Sequence, residues 1–180
     1  PANNLLTYLP NQISSSSIND INFKTILGST EIYAAGDNGG IFYSTGSLGS
    51  PYTQVPVSSS ENFNTVAFFP SATNNNALVI GNTSVAFELN GLSAMSNKNW
   101  YTNEITKLHF TDPNNGYFVG KQGLIRHTQD GGLSWKSIAP YLNSGNSNLP
   151  PDLYGVYTVD VDAAIIAGSH NYLANCANLT

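Results

Sequence analysis

The chain has 180 residues, a net charge of −5 and only 9% charged residues, roughly a third of the share usual in soluble domains. That length supports one domain with a real core, and Asn, Ser and Thr supply 58 residues that solvate it with amides and hydroxyls in place of charge. Five lysines and a single arginine, Arg126, form no basic patch, which excludes nucleic-acid binding through phosphate neutralisation.

Residues 1–20 read as an N-terminal strand, Leu5 to Leu9, followed by a serine-rich linker from Gln12 to Asp20. From residue 21 onward four segments repeat one order of features, over about 21–57, 62–102, 104–140 and 152–180. The first predicts a strand centred on Ile26, a second at Tyr33–Gly36, a turn at Asp37-Asn38-Gly39-Gly40, a third at Ile41–Ser44 and a fourth at Tyr52–Val55. The second predicts strands around Val66, at Leu78–Gly81, at Val85–Glu88 and at Trp100–Thr102. The third has a strand around Leu108, a turn at Asp112–Gly116, a strand at Tyr117–Gly120, a turn at Lys121-Gln122-Gly123, and strands at Leu124–His127 and Ser134–Ser137. The fourth has strands around Val156, at Ile165–Gly168 and, weakly, at Asn171–Ala174. Asn and Gly tolerate positive φ, so the Asp37–Gly40 stretch is a strong hairpin signal.

Gly36, Gly81, Gly120 and Gly168 anchor the repeats at spacings of 45, 39 and 48. Four short antiparallel strands recurring at this period predict an all-β fold, a β-propeller of four-stranded blades. One such sheet has two apolar faces and covers neither alone; packing blades face to face buries both. About four blades are expected here, as part of a larger ring. The other arrangements are pairing with another chain, or closure as four blades with Leu5–Leu9 supplying the last strand.

The third repeat is the sharpest. Thr128-Gln129-Asp130-Gly131-Gly132-Leu133-Ser134-Trp135 fits the pattern [ST]-x-D-x-G-x-x-W. This resembles the Asp-box of BNR-repeat propellers, and Asp112 to Trp135 resembles a repeat of the photosystem II stability and assembly factor type. Gly116, Tyr117, Val119, Gly120, Gly123, Ile125, Thr128, Asp130, Gly131, Gly132 and Trp135 carry the likeness. The resemblance implies a hairpin between the third and fourth strands, with Thr128, Asp130, Gly132 and Trp135 as its structural residues. It also implies a non-enzymatic scaffold that binds other proteins. That family uses an arginine-rich surface, and Arg126 stands alone here, so the partner itself is not carried over.

Some Asp-box propellers are sialidases, which resemble one another in clamping a sugar carboxylate with three arginines. Arg126 cannot supply that triad. The spacing of His109, His127 and His170 groups no three metal ligands, and Asp160 and Asp162 alternate with Val159 and Val161, which turns both carboxylates outward. Cys176 is the only cysteine, so neither an internal disulfide nor a multi-cysteine zinc site forms. No run is long and apolar enough for a transmembrane helix. No cofactor is expected. The reading is a non-enzymatic protein-binding scaffold in an envelope or extracellular assembly. The alternative is a carbohydrate-binding or hydrolytic propeller, with glycan as ligand and its active groups in parts of the chain not given.

Overall fold

The computed structural model describes residues 17–46, 50–69, 76–83, 85–97, 105–139 and 150–177. The expected strands at Leu5–Leu9 and Trp100–Thr102 lie outside them. The described residues hold strands and turns and no helix. The first sheet is β1 (Ile18–Ile26), β2 (Ser29–Gly36), β3 (Ile41–Thr45) and β4 (Thr53–Gln54). The second is β5 (Phe63–Phe68), β6 (Ala77–Gly81), β7 (Ala86–Asn90) and β8 (Ser93–Asn97). The third is β9 (Ile105–Phe110), β10 (Gly116–Gly120), β11 (Ile125–Thr128) and β12 (Lys136–Ser137). The fourth is β13 (Leu153–Asp160), β14 (Ala163–Gly168) and β15 (Leu173–Ala177). Every sheet is an antiparallel meander in chain order. These are four blades of a β-propeller.

The second strands β6 and β10 are buried along their whole length, which is why they read as continuous apolar runs. Each second strand ends on its anchor glycine, and the glycine N–H closes the same turn: Gly36, Gly81, Gly120 and Gly168 donate to the carbonyls of Gly40, Val85, Leu124 and Tyr172.

Two boundaries differ from the sequence reading. The first strand of blade 1 starts at Ile18 and ends at Ile26, so Ile26 is its end, not its centre, and Ile18 to Asp20 belongs to the blade rather than to the linker. Its apolar residues Ile21 and Phe23 are exposed, so no buried-face periodicity marks it. The fourth strand of blade 2 is Ser93–Asn97. It follows the two-residue turn Gly91-Leu92, with Gly91 at φ +57° and Asn90 paired to Ser93.

Three apolar cores hold the blades together. Tyr33, Ile41, Phe63, Val79 and Leu89 fill the space between blades 1 and 2. Leu78, Ile105, Leu108 and Phe118 fill that between blades 2 and 3. Tyr117, Ile125, Leu153 and Ile166 fill that between blades 3 and 4. Burying one such side chain contributes about 1.5–3 kcal/mol. Blade 1 packs on blade 2, blade 2 on blade 3 and blade 3 on blade 4, and among the described residues no comparable packing joins blade 4 to blade 1. Among the described residues the blades follow one another in an arc.

The β1–β2 turn holds Leu27 at φ +51° ahead of Gly28 at +82°, with Ile26 paired to Ser29. A two-residue turn with both φ positive prefers Asn-Gly, and a leucine there costs about 1 kcal/mol. Leu27→Asn is expected to stabilise the chain by about 0.5–1 kcal/mol. A urea midpoint that stays level or falls would contradict this.

Candidate functional site

The innermost strand of every blade carries a β-bulge at the same place. Ile18, Phe63, Ile105 and Leu153 pair with the anchor glycines, one residue is skipped, and Asp20, Thr65, Lys107 and Gly155 pair with the residue before the glycine. A bulge re-aims the side chains beside it. The skipped residue reaches across to the next blade. Asn19 Nδ2 donates to the Phe63 carbonyl at 3.0 Å and Asn64 Nδ2 to the Ile105 carbonyl at 2.7 Å. Thr106 Oγ1 donates in the same way to the Leu153 carbonyl. All three interfaces between blades carry this clasp.

The residues after the skipped ones form a polar belt across three blades. Asp20 Oδ1 accepts from Lys107 Nζ at 2.7 Å and from Ile21 N at 3.0 Å. Its Oδ2 accepts from Thr65 Oγ1 at 2.9 Å and Val66 N at 3.1 Å. The Thr65 hydroxyl in turn accepts from Leu108 N. Sequence reasoning missed this belt, because its members lie 45 and 87 residues apart. The available signal was a polar pair behind the leading apolar residue of each first strand: Asn19-Asp20, Asn64-Thr65 and Thr106-Lys107.

The predicted hairpin residues come together between β11 and β12. Thr128 Oγ1 donates to Asp130 Oδ1 at 2.8 Å and accepts from Gly132 N at 2.9 Å. Asp130 also accepts from Ser134 N at 2.9 Å and from the Ser134 hydroxyl. These Ser134 bonds, the hydroxyl first, hold the Asp130 carboxyl below its ordinary range. Gly131 and Gly132 take φ of +71° and +90°, and Gly131 N donates to the Asn114 carbonyl, tying the hairpin to the β9–β10 turn. Trp135 packs on Phe118 at 4.5 Å between ring centroids and donates its Nε1 to the Gly132 carbonyl at 3.1 Å. Both Asp130 oxygens are occupied by the hairpin itself. Asp130→Ala is expected to cost about 1 kcal/mol, the scale of a lost local cap. A urea titration with an unmoved midpoint would contradict it.

His109 and His127 both face blade 4 from blade 3. His109 Nδ1 accepts from the Thr158 hydroxyl at 2.6 Å and from Thr158 N at 3.3 Å. His127 stacks on Tyr117 at 4.4 Å, and its Nε2 and the Tyr117 hydroxyl are buried without a hydrogen-bond partner. Burial holds His109 below its ordinary pKa, and the Lys107 charge adds to this. Burial likewise lowers His127, against the Val161 carbonyl and the Asp162 carboxylate, with Lys136 adding to the lowering. The unfolded chain therefore binds more protons than the folded one below about pH 6.5. Stability is full above that pH and is lost as the pH falls below it. The urea midpoint is expected to drop between pH 7 and pH 5, and a His109→Gln/His127→Gln variant to flatten the slope. An unchanged slope in that variant would assign the loss to the carboxylates.

The remaining candidates stay apart. His170 lies in the β14–β15 turn, and among the described residues no three His, Cys, Asp or Glu side chains form a metal-sized group. Asp160 ends β13, where its carboxylate accepts from Val161 N. Val159 and Val161 are exposed there too: Val159 shares the outward face of exposed Tyr157, and Val161 lies in the turn that follows β13. Arg126 sits half-buried on β11, opposite Phe118. Cys176 packs at the edge of the blade 3–4 core, where burial raises its thiol pKa.

No protein-family model and no curated protein sequence matches the chain. Solved structures do. YCF48 from Cyanidioschyzon merolae superposes with a TM-score of 0.63 at 14% identity, over 89% of this chain and 51% of that one. YCF48 bound to D1 peptide gives 0.66 at 19%, over the same shares. A protein of unknown function from Bacteroides caccae gives 0.52 at 13%, over 91% of this chain and 61% of that one. The shared property is the propeller fold. The chain spans about half the length of the YCF48 chains it matches.

Proposed function

We propose that this chain is a binding scaffold that holds a segment of another protein and carries out no reaction of its own. The observation behind this reading is the likeness to YCF48 bound to D1 peptide, a propeller of the same architecture with a peptide on it. The described polar groups agree with it. Asp20, Lys107, Thr65 and Asp130 are engaged in joining blades or pinning a hairpin, and no carboxylate or histidine among them is paired as an acid and base would be. The low charge and the wealth of amides and hydroxyls support a setting in an envelope or extracellular assembly.

The test is a random-peptide display selection and a glycan array run on the same purified chain. Enriched peptides that bind in solution with about micromolar Kd support the scaffold reading. Glycan binding without any peptide binding would replace it with the carbohydrate reading, and turnover of a sialoside substrate would overturn it.

A further inference from the structure

The joints between blades follow a rule, and the two ends of the arc each carry one half of a joint. In blade 1, Asn38 N–H donates to Asn62 Oδ1 at 3.0 Å and Gly39 N–H to the Glu61 carbonyl at 2.7 Å. In blade 3, Gln122 N–H donates to Asp152 Oδ1 at 3.0 Å and Gly123 N–H to the Pro151 carbonyl at 2.7 Å. Asn62 and Asp152 are equivalent. Each precedes the first strand of the next blade, and its carbonyl accepts the N–H that follows that blade's own anchor glycine. The donor pairs share one backbone shape, with φ of +55° and +75° in blade 1 and +54° and +71° in blade 3. Blade 2 departs from it, since Thr83 N–H bonds the Glu61 carboxylate of its own blade.

Blade 4 has the same turn. His170 and Asn171 take φ of +56° and +58°, a cost that a histidine pays only for a fixed turn shape, and Gly168 N closes on the Tyr172 carbonyl. Among the described residues no acceptor from another blade meets the His170 and Asn171 N–H groups. At the other end Ser17 occupies the Asn62 and Asp152 position. It precedes β1, its carbonyl accepts Asp37 N–H at 3.0 Å, and its side chain is exposed. Beside the blade 4 turn lies an apolar sheet face, with Tyr157, Ile165 and Leu173 exposed by 62%, 41% and 72%. Beside Ser17 lie Ile21 and Phe23, exposed by 58% and 70%. One end offers donors and an apolar face; the other offers an acceptor and an apolar face.

We propose that blade 4 of one copy docks on blade 1 of a second copy, head to tail, by the joint that already links blades within the chain. A heterologous contact of this kind closes if its rotation allows. Two arcs of four blades make eight, within the range of about four to eight that propellers adopt.

The experiment is sedimentation velocity on the full chain at rising concentration, with amide hydrogen exchange alongside. The expected result is a particle of twice the monomer mass, in which the His170 and Asn171 amides exchange at least tenfold more slowly than in the dilute monomer. Phe23→Lys blocks one end and Ile165→Lys the other, at exposed positions that leave each fold intact by circular dichroism. Each variant alone is expected to be monomeric. Mixed in equal amounts they form a two-chain particle, because one intact joint survives. A wild-type chain that stays monomeric at several hundred micromolar would overturn the proposal. So would a dimer abolished by only one of the two variants, which would place like ends together.

Discussion

Asp20→Ala is expected to destabilise the chain by about 2–4 kcal/mol, more than any other surface-accessible carboxylate. Its side chain is only 11% exposed, and it gathers four donors from three blades. The cost is unevenly distributed among them. Thr65 and Val66 are fully buried, so the hydroxyl and the amide that lose Asp20 have no water to turn to. Each orphaned donor costs about 1–3 kcal/mol. Lys107 is 34% exposed, and water can solvate its ammonium when the ion pair is gone. Lys107→Met leaves the Asp20 carboxylate its three other donors, Ile21 N, Thr65 Oγ1 and Val66 N, and should cost less, about 1 kcal/mol. Urea unfolding of the two variants separates these contributions. Equal losses would mean that the ion pair, rather than the acceptor role of Asp20, holds the three blades.

Gly36→Ala and Gly168→Ala are each expected to cost about 2–3 kcal/mol, and Gly81→Ala less, about 1–2. The ranking follows from what a methyl group meets. At Gly36 it would lie 2.3 Å from the Ser17 carbonyl oxygen, which accepts the Asp37 N–H, so relief by moving the backbone breaks that bond. At Gly168 it would lie 2.5 Å from the Asp152 carbonyl oxygen, which accepts Ser169 N–H. At Gly81 the obstacle is Glu61 Cγ at 2.2 Å, part of a side chain that can move only by giving up its bond from Thr83 N–H. Alanine scanning of the three positions by chemical denaturation tests the order. A Gly81 variant as damaged as the other two would show that the side chain of Glu61 is held as firmly as backbone.

The anchor glycines were legible because two signals coincide there. The strand before each is apolar, and at Gly36 and Gly168 the residue itself must leave room for the backbone of its own blade's lead-in segment. The hairpin at Thr128 to Trp135 was legible because its bonds are local, within four residues along the chain. The belt of Asp20, Thr65 and Lys107 was not. Nothing in three unlike polar residues announces that a bulge carries each to the same place. Blade 1's first strand was predicted, centred on Ile26, but its start at Ile18 was not, for a different reason: periodicity reports burial, and Ile21 and Phe23 are exposed. The sequence could not say that His109 and His127 share one interface.

The clasp between blades has a consequence for how such a chain can change over generations. Its acceptor is a main-chain carbonyl, of Phe63, Ile105 or Leu153, and every residue type offers the same oxygen there. The donor position accepts an amide or a hydroxyl, as Asn19, Asn64 and Thr106 demonstrate. A joint that makes so few demands on residue identity lets the two partners drift independently without compensating changes. Architecture can then tolerate wide differences in sequence, as in the solved structures that superpose on this chain at 13–19% identity. It also makes a whole repeat the natural unit of insertion or loss: an unequal crossover that duplicates one blade copies a donor and an acceptor together and leaves both new seams compatible.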